Sequence, residues 1–294
     1  MTRNERQVST FTFGRGAPVG RFLVIGAALA LSAWALGLAV TRSGASATGE
    51  LSVDVYLAQH RSVALSQVAL VINVLLGVSV APILLLAVAG LAAQVWRWVA
   101  GVIVLVVTGA GSVAAAAGKM LVQRPRPPGD LLHALVSETG ADSYPSGHTA
   151  FAAGLLASAV LVSYVYGRSA WGTAVLGLPA LVVVGVSRLY LGVHYLVDVL
   201  GSGLVVSAST LLLIGTYNAV WRVVRTVRSQ PSSTELLGVP GLEAASASVG
   251  DNERRTTGDA VLEGLPGPMT GHQVPGQVAP SMDLLGGVDA DTRR

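Results

Sequence analysis

The chain has 294 residues, of which 52% are hydrophobic and only 12% charged, and its mean hydropathy is +0.61. A soluble domain carries about 25% charged residues, so roughly half of the usual polar surface is missing and the composition is that of a membrane protein. There is no cysteine, which excludes disulfides, zinc–thiolate sites and thiol nucleophiles. The net charge of +3 hides a division, because residues 229–294 hold nine acids and four arginines, net −5, and leave +8 on the first 228. Those positive residues sit in short segments between apolar blocks, an arrangement that points to membrane topology and a phosphate site rather than to nucleic acid.

In chain order, a polar, arginine-bearing N-terminus (1–21) precedes an uncharged stretch at 22–40 that is long enough to span a bilayer. Ala45-Ser46-Ala47 just beyond it has the look of a signal-peptidase site. The stretch exceeds the 7–15 residues of a signal h-region, so a retained first helix is expected. A polar loop at 41–62 leads to a second span at 68–95, with Pro82 near its middle expected to kink it. Trp96-Arg97-Trp98 reads as an interfacial turn, and a Gly/Ala/Val-rich third span follows at 99–118. After a polar stretch at 119–148 come spans at 149–166, 170–187 and 196–217, then a basic exit carrying Arg222, Arg225 and Arg228. The remainder, 229–294, is rich in Gly, Pro, Ser and acids without periodicity and reads as disordered. No internal repeat is present.

The expected fold is therefore all-α and integral to the membrane: a six-helix bundle at 22–217 between a cytoplasmic basic N-terminus (1–21) and a basic exit with an acidic cytoplasmic tail (218–294). With six spans, the N-terminal arginines, Arg97, Arg168 and the 222–228 cluster share one side, which the positive-inside rule makes cytoplasmic. Lys119, Arg124, Arg126 and Arg188 then lie on the other side against that rule. An anionic ligand would explain them.

Lys119 is the only lysine beside eighteen arginines, as if a compact point charge were wanted at that helix end; as a lone residue it equally suits a snorkelling interfacial lysine. In Arg124-Pro125-Arg126-Pro127 the prolines enforce an extended segment, and guanidinium forks match pairs of phosphate oxygens. Ser146 is placed to cap the helix that Gly147 and His148 open, and the free amides of such a terminus favour an anion. His194 and Asp198 are four residues apart, so on a helix they share a face. The carboxylate can then hold one ring nitrogen as N–H and leave the other free to attack.

Taken together, Lys119 with Arg126-Pro127 (K-x6-R-P), Pro145 to His148 (P-S-G-H) and Ser187 to Asp198 (S-R-x5-H-x3-D) resemble the signature of the phosphatidic acid phosphatase type 2 superfamily, which also includes vanadium haloperoxidases. The resemblance implies an enzyme, a phosphatase acting on lipid phosphates or pyrophosphates with its active site at the extracytoplasmic helix ends. It implies His194 as nucleophile forming a phosphohistidine, Asp198 orienting it, and His148 as general acid and then base. Lys119, Arg126, Ser146, Gly147 and Arg188 would bind the phosphate, with Arg124 as an outer helper. No metal and no cofactor is expected, since Asp198 is the only acid within the motifs. The expected partners are a lipid phosphate substrate and the bilayer of the plasma membrane; a partner for the tail is left unspecified. Polyprenyl pyrophosphate, phosphatidic acid and phosphatidylglycerol phosphate are the candidate substrates, the first favoured by an outward-facing site. Leu131, Leu132, Leu135 and Val136 are expected to dip into the interface beside it. Transfer to an alcohol acceptor, vanadate-dependent peroxidation and a membrane scaffold recruiting partners through its tail are the competing readings.

Overall fold

The computed structural model describes residues 19–138, 140 and 142–228. All of them lie in the first of two compact units, 1–230 and 231–294. Both the N-terminus before residue 19 and the acidic tail thus fall outside the described residues.

Among the described residues there are nine helices and no strand beyond one bridge between Pro125 and Asp142. In chain order they are α1 (Val19–Ser43), α2 (Glu50–Gln59), α3 (Val63–Leu75), α4 (Ala81–Val95), α5 (Trp98–Val122), α6 (Gly129–Leu132), α7 (Gly147–Val165), α8 (Ala170–Tyr190) and α9 (Leu196–Arg228). Five of them, α1, α5, α7, α8 and α9, are long and apolar enough to cross a membrane. Their outward faces carry large aliphatic side chains such as Val24, Leu31, Val113, Leu176 and Val183. An apolar exterior of that extent belongs in lipid, and the protein is a multi-pass membrane protein.

The expected second span is divided. α3 ends at Leu75 and α4 begins only at Ala81, so the apolar run yields helices of 13 and 15 residues instead of one. Pro82 does not kink a helix; it occupies the first turn of α4, where its missing N–H costs no ladder bond. α3 lies across the end of α8 rather than alongside it. The backbone of Ser62, just before α3, pairs with the Tyr190 hydroxyl, while Asn73, eleven residues on, reaches Arg188, two positions from Tyr190. The last predicted span also differs, because α9 runs without a break through the basic exit to Arg228.

Helix packing depends on small residues. A Cβ placed on Gly26 of α1 would come within 2.9 Å of Leu212 of α9, and one on Gly215 within 2.7 Å of Leu23, so each helix receives the other's leucine. Gly154 of α7 packs on the Thr108 backbone of α5, and Gly101 of α5 on the Ala89 carbonyl of α4. Without a hydrophobic force between helices in lipid, close backbone approach of this kind supplies the cohesion.

Tyr144 joins the bundle to the site. Its ring lies between Gly37 of α1 and Gly201 of α9, where a Cβ would meet it at 2.6 and 2.3 Å, and its hydroxyl donates to the Ala33 carbonyl at 2.5 Å. The loop after α1, the 123–146 segment and the α8–α9 turn converge at one end of the bundle, linked by Arg124–Glu50 and Arg126–Val193 contacts. At the other end Trp96 packs on Tyr166, and Arg168 lies 5.6 Å above the Trp96 ring. Of the four apolar loop residues, Leu132 is fully buried and Val136 packs on the Tyr190–Leu191–Val193 cluster, leaving Leu131 and Leu135 to face outward.

Candidate active site

The two histidines are set by helix starts. Ser146 is the N-cap of α7, its hydroxyl accepting from the Thr149 amide and bonded to the Thr149 hydroxyl, which places His148 in the first turn. At α9 the geometry is not the helical i,i+4 stacking expected from spacing, because His194 precedes the helix. Instead Asp198, three residues after Tyr195, reaches back to accept the Tyr195 N–H at 2.9 Å. This is the acidic half of a capping box, and it brings the carboxylate to the residue before the cap. His194 Nδ1 then lies 3.4 Å from Asp198 Oδ2, an ion-pair distance outside strict hydrogen-bond geometry. Gly192, at φ +78°, supplies the tight turn from α8 that makes this placement possible.

The other ring nitrogen faces cations. His194 Nε2 is 3.4 Å from Arg126 Nη1, whose guanidinium also donates to the Val193 carbonyl at 2.9 Å and, through Nε, to Gly140 at 2.6 Å. The extended conformation expected of Arg124-Pro125-Arg126 is present, held by the Ser143 amide donating to Arg124 O at 2.7 Å. Burial pushes His194 down to about 4, reinforced by Arg188 and Arg126 and opposed by Asp198. The imidazole is therefore neutral at physiological pH, the state in which a ring nitrogen has a free lone pair.

Arg188 is completely buried; its Nη1 donates to the Asn73 side chain at 2.7 Å and its Nη2 contacts Glu138, while Nε has no partner. Asn73 also offers its backbone carbonyl to His148 Nε2 at 3.1 Å. Since a carbonyl only accepts, that contact places a hydrogen on Nε2. Glu138 stands between the two arginines, bonded to Arg188 and 3.8 Å from Arg126. Burial works to raise its pKa, but Arg188 and Arg126 hold it below the ordinary carboxylate value. A carboxylate of the chain itself thus lies between the two guanidinium groups.

The remaining expected ligands are positioned differently. Lys119 Nζ donates to the carbonyls of Asp142 and Ser143 at 2.7 and 3.4 Å, steadying the loop beside Arg126. Ser146 is fully buried with its hydroxyl turned into α7, whereas Gly147 is exposed and a Cβ there would meet nothing within 4 Å. Arg124 is enclosed by two acids. It is 2% exposed and bonded to Glu50 at 2.5 Å and Asp198 at 2.7 Å. Sequence reasoning missed Glu50, Asn73 and Glu138. Asn73 carried a signal, as an amide inside an apolar run, and Glu138 another, as an acid between the arginine segment and P-S-G-H; Glu50 carried none.

The sequence model of the PAP2 superfamily matches residues 96–225. Among solved structures, a transmembrane PAP2-type phosphatidylglycerolphosphate phosphatase from Bacillus subtilis superposes with a TM-score of 0.54 at 23% identity, covering 66% of this chain and 96% of its own. No curated protein matches. The matched segment contains both histidines, Asp198, Lys119, Arg126 and Arg188, and over it the chain is similar to the PAP2 superfamily, with a fold shared by the transmembrane phosphatase.

Proposed function

We propose that the protein is a metal-independent phosphatase of lipid phosphates or pyrophosphates, working through a phosphohistidine on His194. The observation that carries this reading is the orientation of one imidazole, with Nδ1 toward Asp198 and Nε2 toward Arg126 beside an anion-occupied arginine pair. In the first step His194 Nε2 forms a bond to phosphorus while the bond to the leaving oxygen breaks, and His148, entering the step as the imidazolium with Nε2–H on the Asn73 carbonyl, gives that oxygen the proton on Nδ1. In the second, His148 takes a proton from water, whose oxygen attacks phosphorus and releases the histidine. Arg126 and Arg188, with the exposed Gly147 amide at the start of α7, meet the charge on the phosphoryl oxygens, which is the main requirement of phosphoryl transfer. Lys119 and Ser146 serve this site by fixing the loop and the helix start. The acids nearest the chemistry, Asp198 and Glu138, are each engaged by arginine, so cations of the chain itself take the role that a divalent ion has elsewhere.

A lipid substrate is supported by the membrane setting and by the similarity to a lipid phosphatase. With six spans, counting α3 and α4 as one interrupted crossing, the site opens on the extracytoplasmic side and the termini are cytoplasmic. An outward site suits polyprenyl pyrophosphate; phosphatidylglycerol phosphate and phosphatidic acid are the comparison arms. Phosphate release from these three lipids in detergent tests the reading. Turnover is expected to persist in excess EDTA, and His194→Ala is expected to lower it by about a thousandfold or more. A base-stable, acid-labile phosphoenzyme is expected in the native protein and not in that variant. Activity restored only by magnesium, or a phosphohistidine still formed by His194→Ala, would overturn the assignment.

A further inference from the structure

Arg124 has no route to a substrate. Its guanidinium is enclosed by Glu50 Oε2 at 2.5 Å, Asp198 Oδ1 at 2.7 Å and the Tyr195 ring at 4.3 Å. Glu50, 5% exposed at the start of α2, also accepts the Val197 N–H of α9 at 2.9 Å. A continuous buried row therefore runs from α2 to the site: Glu50, Arg124, Asp198, His194.

Burying three charges is expensive, and holding Asp198 in place does not require three. The Tyr195 amide and one arginine would fix the carboxylate, but that pair alone is neutral and would present His194 with no net charge. Glu50 changes the sum. One guanidinium shared by two carboxylates leaves the cluster at −1, on the side of the imidazole away from phosphorus.

Resting on the phosphohistidine reading above, we propose that Glu50 and Arg124 are positioning residues for phosphotransfer. Arg124 locks Asp198 against His194 Nδ1, and Glu50 keeps the cluster negative so that the positive charge on the phosphorylated imidazole is met. The other groups facing this row are Asp54 on α2, Tyr195 beside Arg124 and Tyr144 near Asp198; around His194 they are Arg126, Arg188 of α8, Glu138 and, beyond them, Lys119 of α5 and His148 of α7. Glu50 lies outside the residues matched by the family model, and nothing in the motifs marks it.

The test uses the full chain in detergent with 15N-labelled histidine, the His194 signal being assigned by its loss in His194→Gln. Glu50→Gln keeps an acceptor for Val197 but makes the cluster neutral; Arg124→Gln makes it more negative. The His194 titration is expected to move down in the first and up in the second, by about one pH unit each, which corresponds to roughly tenfold in the ionisation equilibrium. Arg124→Lys, which preserves charge, is expected to titrate like the native protein. In parallel, kcat of Glu50→Gln is expected to fall about tenfold with KM within twofold. Shifts of the same sign in the two glutamine variants, no shift, or native kcat in Glu50→Gln would overturn the proposal. If Glu50→Gln does not fold, the Arg124→Gln and Arg124→Lys pair decides it, because an equal titration shift in both removes the charge argument. Absence of phosphate release by the native chain would instead sink the functional reading, and the histidine shifts would still report on the row.

Discussion

At Glu138 a side chain of the protein lies between the two arginines that the proposed function assigns to the substrate phosphate. Its carboxylate pairs with Arg188 and lies near Arg126, so on that proposal a phosphate competes with it for the same guanidinium groups. A hydrogen bond between charged partners contributes about 1.5–3 kcal/mol, which makes the competition measurable. Glu138→Gln is expected to bind vanadate about tenfold more tightly than the native protein, measured as inhibition of phosphate release. Weaker binding would mean that Glu138 helps to shape the site instead of competing for it.

Asp54 raises a different question at the same scale. Both of its carboxylate oxygens are buried without a hydrogen-bond partner, and burial, with Glu50 and Asp198 nearby, pushes its pKa from 3.8 up to about 7. A folded-state pKa above the unfolded value contributes stability at low pH that is lost as pH rises through the folded value. Between about pH 4 and 7 the native protein therefore gives up stability that Asp54→Asn keeps. The melting temperature of the variant relative to native is expected to rise across this window and to level off above it. A difference that does not change with pH would show that Asp54 is not titrating there.

At the scale of elements, the long apolar spans were readable because nothing else in a sequence produces uncharged runs of that length. The division of the expected second span was not, since hydropathy is blind to a break inside an apolar run; only Pro82, read as opening a helix instead of bending one, held the clue. The same limit applied to the site. Spacing identified His194 and Asp198 as partners but assigned the wrong geometry, because a capping contact and a helical i,i+4 contact have the same sequence separation. The residues marked by motifs were legible, whereas Glu50 and Asn73 reach the site through α2 and α3, whose placement no local pattern specifies. The Tyr144 wedge between Gly37 and Gly201 was equally silent. Gly201→Ala is expected to destabilise the protein by about 1–3 kcal/mol, the usual effect of forcing a methyl into a filled space, seen as a lower melting temperature in detergent. Tyr144→Leu in the same background is expected to recover part of the loss, and failure to do so would place the strain elsewhere.

For the whole molecule, the convergence of three loops at one end gives sidedness a direct test. The chain has no cysteine, so single cysteines can be introduced without removing others. Asp130, in α6 at the site end, and Arg168, at the other, are suitable positions. With an impermeant maleimide on intact cells, Asp130→Cys is expected to label at once and Arg168→Cys only after permeabilisation. The reverse pattern would turn the site to the cytoplasm and remove the argument for an outward-facing lipid substrate.

The position of Glu50 also bears on portability. The segment matched by the family model starts at residue 96, yet the carboxylate proposed to set the charge behind His194 belongs to a short helix ending well before it. A chimera built by grafting residues 96–225 onto the first helices of another protein would inherit both histidines with a neutral Arg124–Asp198 pair behind them. Complete motifs in such a hybrid would not guarantee a competent enzyme, and adding one acid in the recipient, placed to reach Arg124, is what would make the graft whole.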